Sequence, residues 1–247
     1  LADGVLYFGT TEGKVYAVTA ATGKFAPGWE KPLSFGDGVW APPVVAAGTL
    51  YIATMDGELH ALGAADRREK WARPFKTEGA IPSLTLLDAG HLFVPTLAKK
   101  VFIVETATGE APSGEFRASD WVWTRPAFAQ GVAYFADLSG TIYALDITSG
   151  RVKWTTSAGG KVKSGPAIVD DVLVLVDREP VVHFLTLDGA LRNTVPILGA
   201  GTVRADVTAG EAGGPFAGKA LIATTKGKLF EADPRGSVVE IPVAGAP

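Results

Sequence analysis

The sequence predicts an all-β chain, a β-propeller of about six four-stranded antiparallel blades. Three observations carry this expectation. An alternating apolar run, a turn and a second such run recur six times along the 247 residues. A further extended segment precedes most of these pairs and another follows them, so one unit of four strands returns every ~40 residues. No segment keeps a helical period of 3.6 residues for long enough to form a helix.

The six pairs are GVLYFGTTEGKVYAV (4–18), GTLYIATMDGELHAL (48–62), GHLFVPTLAKKVFIV (90–104), GVAYFADLSGTIYAL (131–145), DVLVLVDREPVVHFL (171–185) and GKALIATTKGKLFEA (218–232). Their flanks hold β-branched and aromatic residues at a period near two, and their centres hold turn residues: Glu12-Gly13, Asp56-Gly57, Ser139-Gly140 and Lys226-Gly227. Glycine supplies the positive φ that tight hairpin turns use. Ala98-Lys99 and Glu179-Pro180 stand there in the third and fifth copies, which predicts a different turn geometry for both. Leading strands are often opened by proline, as at Pro42-Pro43, Pro82, Pro126 and Pro166. A single domain with repeats at 1–33, 37–75, 79–116, 120–157, 159–197 and 199–243 follows. The segment 209–218 reads as a loop insertion in the last repeat. The first copy lacks a leading strand, and the tail Gly245-Ala246-Pro247 has the look of one. Either that segment completes the first blade, or the six repeats are part of a seven- or eight-bladed ring.

The segment ALDITSGRVKW, 144–154, fits A-x-D-x-x-x-G-x-x-x-W through Ala144, Asp146, Gly150 and Trp154. ALGAADRREKW keeps the alanine and Trp71, with Gly63 and Arg67 at the Asp and Gly positions; the first copy keeps Ala17 and Gly23 and reaches Trp29 two residues late. This motif resembles the tryptophan-docking motif of the PQQ-like β-propeller repeat family, of the BamB type, and the resemblance covers essentially the whole chain. It implies that Trp29, Trp71 and Trp154 are structural staples, each indole lying on a peptide plane near the Gly of an adjacent repeat, with the Asp accepting backbone N–H bonds in the turn.

The bulk numbers bound the function. A net charge of −3 and a pI near 5.7 give no basic footprint for nucleic acid. The absence of cysteine excludes disulfides, thiolate metal sites and thiol catalysis. No apolar run reaches the ~18–20 residues of a membrane span. The resemblance also raises a quinoprotein dehydrogenase with pyrroloquinoline quinone and calcium. Calcium takes about 6–8 oxygens, and no convergent set is legible; Asn193 is the only asparagine. His60, His91 and His183 show no metal-ligand spacing and read as strand histidines. Asp170-Asp171 and the Asp177–Pro180 run read as turn charges. No catalytic residue, cofactor site or metal site is expected.

What remains is a surface. The connections before the leading strands carry Trp40, Trp121, Trp123 and Arg125, none of which belongs to the docking motif. Trp and Arg often dominate interfaces. They form a partner-binding patch near the channel mouth, or else they fill that mouth and the blade interfaces. The expected function is a non-catalytic protein-binding or assembly scaffold. The resemblance implies an extracytoplasmic location, periplasmic or cell-surface, in a membrane-associated complex, anchored by a segment outside these residues. The alternatives are the ectodomain or sensor portion of a larger membrane protein and a fragment of a PQQ-dependent dehydrogenase.

Overall fold

The structure is a computed structural model, and it describes residues 1–88 and 90–242. The tail Gly245-Ala246-Pro247 lies outside the described residues. The chain divides into two compact units, Leu1–Arg117 and Ala118–Pro247.

The first unit holds three antiparallel sheets. One has three strands, β1 (Val5–Gly9), β2 (Lys14–Thr19) and β3 (Leu33–Ser34). The next has β4 (Val44–Ala46), β5 (Thr49–Ala53), β6 (Glu58–Gly63) and β7 (Phe75–Lys76). The third has β8 (Thr85–Asp88), β9 (His91–Pro95), β10 (Lys100–Glu105) and β11 (Glu115–Arg117). The second unit holds three four-stranded sheets. These are β12 (Ala127–Ala129), β13 (Val132–Ala136), β14 (Thr141–Asp146) and β15 (Val152–Ser157), then β16 (Ala167–Val169), β17 (Val172–Val176), β18 (Val181–Thr186) and β19 (Leu191–Pro196). The last is β20 (Thr208–Ala209), β21 (Ala220–Ala223), β22 (Leu229–Asp233) and β23 (Ser237–Ile241). Every sheet runs in chain order, so each is a meander built from one repeat.

Strand alternation explains why central strands are apolar throughout. On β5, Leu50 and Ile52 join a core with Val15 and Trp29, while Tyr51 and Ala53 join another with Leu92 and Val94. On β17, Val172, Val174 and Val176 face a core with Phe184 and Ile222, and Leu173 and Leu175 face one with Tyr134 and Ile142. Successive side chains point to opposite faces, and neighbouring sheets bury both.

The third hairpin turn departs from expectation. Lys99 adopts φ +62°, the same left-handed conformation that glycine holds at Gly57 and Gly140. Thr96 N–H donates to the Lys100 carbonyl, and Thr54 N–H donates to the Glu58 carbonyl in the same way. The hairpin geometry overrides the steric preference of the lysine at a cost of ~1–2 kcal/mol.

The tryptophans link neighbouring sheets within each unit. Trp29 Nε1 donates to the Ala64 carbonyl at 2.8 Å, Trp71 Nε1 to Thr106 at 2.9 Å and Trp154 Nε1 to Leu187 at 2.9 Å. Each indole also meets a tyrosine of its own sheet, Tyr7, Tyr51 or Tyr134, with centroids 5.7–5.9 Å apart. Trp71 lies under Gly109, where an added Cβ would fall 2.5 Å from the ring; Trp154 lies under Gly189 at 2.7 Å. Arg67 takes the Gly position above Trp29 at φ +59°, with its guanidinium carbon 5.7 Å from the ring centroid. Asp146 accepts the backbone N–H of Ser149, which holds its carboxyl below the usual aspartate range.

Asn193 stands where the fifth sheet lacks a tryptophan, four residues after Gly189. Its Nδ2 donates to the Gly236 carbonyl at 3.0 Å. Asn193→Ala should cost only ~1 kcal/mol, the net value of one exposed hydrogen bond; chemical denaturation of the two proteins checks this. In the first sheet Gly23 holds the equivalent position, and among the described residues nothing lies within 4 Å of a Cβ built on it.

Burial raises the phenols of Tyr51, Tyr134 and Tyr143 above their ordinary value of 10. The folded state therefore keeps protons that the unfolded chain releases first. This stability is fully present below about pH 10 and is lost as pH rises through the folded-state values. The denaturation midpoint should fall from about pH 10 upward, with phenolate absorbance lagging that of free tyrosine. A midpoint that holds steady through this range would contradict the assignment.

Candidate partner-binding surface

Loops precede three leading strands of the second unit, and the first two of them alternate like strands. Val122, Val162 and Val203 are buried, while Trp121, Lys161 and Arg204 are exposed. Isolated bridges fix two of them, Val162 with Asp177 and Val203 with Thr224. Leu138 N–H donates to the Trp121 carbonyl at 2.8 Å. The period of two thus places residues 121, 123 and 125, then 161 and 163, outward, while in the third loop Arg204 and Ala205 are both exposed and Asp206 is half-buried.

These segments are tied to one another. Lys163 Nζ sits 4.5 Å from the Trp123 ring centroid. Arg125 Nε lies 3.3 Å from Asp206 Oδ2, and Asp206 Oδ1 accepts the Gly165 N–H at 2.6 Å. A Cβ on Gly165 would collide with the Arg125 carbonyl at 2.7 Å, so glycine allows the close approach. Trp121 remains 43% exposed, large for an indole held by a fixed loop. Trp40, 50% exposed, occupies the matching loop of the second repeat, in the first unit.

A buried polar support lies beneath Trp121. Asp137, with no exposed surface, accepts the Asp120 N–H at 2.9 Å and the Tyr143 hydroxyl at 2.8 Å. Tyr143 in turn accepts the Ser119 N–H at 2.8 Å. The sequence signal for this support is Asp137 itself, which replaces the threonine found at Thr10, Thr54, Thr96 and Thr224. In the fifth repeat Asp177 holds that position, 2.9 Å from His183 Nε2.

The three histidines sit in three different sheets, each beside carboxylates: His60 with Glu58 and Glu69, His91 with Asp88, His183 with Asp177. Among the described residues no three His, Cys, Asp or Glu side chains gather to hold a metal ion. Asn193 is engaged in the repeat dock described above. Among the described residues no helix is long and apolar enough to cross a membrane.

A family model described as outer membrane protein assembly factor BamB matches residues 1–113 and again 114–247. The chain belongs to this BamB-type, PQQ-like repeat family. Within it, the chain is 32% identical over 164 residues to BamB of Xanthomonas campestris, covering 61% of this chain and 39% of that one. It is 31% identical over 175 residues to the serine/threonine-protein kinase AfsK of Streptomyces griseus, covering 62% of this chain and 21% of the kinase. The chain thus spans less than half the length of these relatives. Among solved structures, BamB from Moraxella catarrhalis overlays with a TM-score of 0.77 at 16% identity, over 98% of this chain and 72% of that one. The computationally designed Ika8 protein overlays with a TM-score of 0.81 at 13% identity, over 97% and 71%. At such identities the overlays speak to fold alone, and the fold they share is the propeller: the sheets of this chain are about six propeller blades.

Proposed function

We propose that the chain is a non-catalytic scaffold that binds a protein partner through the loops holding Trp121, Trp123 and Arg125, with Trp40 as a further contact in the first unit. The observation that carries this is the fixed, exposed indole of Trp121, flanked by Trp123 and Arg125 on loops tied across three repeats. Exposed aromatic and arginine side chains on a preformed backbone bind with little loss of conformational entropy. Family membership supports a role in assembling outer membrane proteins, and with it an extracytoplasmic location in a membrane-associated complex. No cofactor is assigned.

The test is isolation of the protein from its native membranes, with the co-purifying proteins identified. A stoichiometric partner supports the scaffold; a lone protein in every preparation contradicts it. One observation favours a second reading, a sensor portion of a larger signalling protein: the AfsK match aligns 175 residues with only 21% of a kinase. A kinase segment in the same polypeptide would select that reading.

A further inference from the structure

Deepening the reading of these loops as a partner-binding surface, on which it rests, we infer that they take an acidic segment of the protein partner, recognised by cations arrayed around the two tryptophans. The outward positions of the three loops hold Arg125, Lys161, Lys163 and Arg204. Two adjoining hairpin turns add Arg178 and Lys226. Arg178 N–H donates to the Lys161 carbonyl at 2.8 Å, and Thr225 N–H, one residue from Lys226, donates to the Thr202 carbonyl at 2.9 Å. Six cations are therefore brought to one end of the unit, in a chain whose net charge is −3.

The ion pairs show how little of this charge is spent inside the molecule. Among the described residues no carboxylate lies within ion-pairing distance of Lys161, Arg178, Arg204 or Lys226. Arg125 shares Asp206 with the Gly165 N–H, and Lys163 lies over the Trp123 ring. The nearby acids on these segments are Asp120, Asp137, Asp177, Glu179 and Asp206; Asp137 and Asp177 are buried, Asp137 accepting the Asp120 N–H and the Tyr143 hydroxyl and Asp177 lying 2.9 Å from His183 Nε2, and Asp206 accepts the Gly165 N–H. Elsewhere in the unit lysines are matched, as Lys219 is by Asp233 and Lys228 by Glu240. Unmatched like charges held together on fixed loops repel one another, and a segment bearing carboxylates relieves that repulsion. The indoles add apolar contact beside the charges, which favours a polypeptide. An acidic chain overall disfavours the long polyanion of a nucleic acid.

The test uses the full protein with three labelled peptides of equal length, Glu-rich, Gln-rich and Lys-rich, and a labelled DNA duplex, read by fluorescence anisotropy. Lys161→Glu with Lys163→Glu is compared with the native protein, and Lys161→Gln with Arg204→Gln serves as a milder pair; thermal unfolding verifies each fold. The Glu-rich peptide should bind, the other two should not, and affinity should fall with added salt. The charge-reversed pair should weaken binding about tenfold or more. Equal binding of the Gln-rich peptide, an unchanged affinity in both variants, or binding of duplex DNA alone overturns the inference. Capture of the native partner separates it from the scaffold reading. Loss with Trp121→Ala and Arg125→Ala, but not with the lysine pair, overturns the charge assignment and leaves the scaffold intact. Retention in both variants sinks both.

Discussion

Gly109→Val should destabilise the first unit by ~4–5 kcal/mol. Two effects add. Gly109 sits at φ +73°, and an L side chain there costs ~1–2 kcal/mol. Its Cβ would also fall 2.5 Å from the Trp71 ring, forcing the indole from its place under Thr106 and Gly109. Displacing a buried aromatic costs ~3 kcal/mol. Gly23 provides the control: at φ +66° it has the same backbone conformation, and among the described residues nothing lies within 4 Å of its added Cβ. Gly23→Val should therefore show the backbone effect alone, ~1–2 kcal/mol. Urea denaturation of both variants separates the terms. Equal losses would mean that the indole contributes little where it docks.

The second large effect concerns binding. Trp121→Ala with Arg125→Ala should abolish capture of the partner while moving the unfolding midpoint little. Trp121 is 43% exposed, and the Arg125 side chain is 56% exposed with a single ion pair to Asp206. Removing such groups costs ~0.5 kcal/mol or less of stability. An interface anchor of these types contributes ~2 kcal/mol or more of binding. A variant that unfolds would instead give both residues a packing role.

The hairpins were legible because their alternation is dense and their turns carry glycine. Val172 to Val176 reads as a strand on any scale, and its two cores explain why no polar residue interrupts it. The trailing strands were harder, since β3 and β7 are two residues long and owe their pairing to the sheet they join. The docking motif was legible at Trp154, yet Asn193 was not. An amide reaches a neighbouring carbonyl as an indole does, but without the apolar bulk that marks the position. Lys99 shows the converse, a left-handed turn residue that sequence preference argues against. At the candidate surface, residues 121, 123 and 125 were apparent as unusual side chains. Their ties to Lys163 and Asp206, 40 or more positions away along the chain, exist only once the repeats stack.

The most direct measurement places a photo-crosslinking amino acid at position 121 in the full protein, in its native cells, and identifies what it captures. The scaffold account predicts one abundant protein partner, crosslinked through an acidic segment, and loss of that product when the group is moved to exposed Leu191, which lies outside the surface. The absence of any crosslinked protein from position 121, or the same product from both positions, would contradict it.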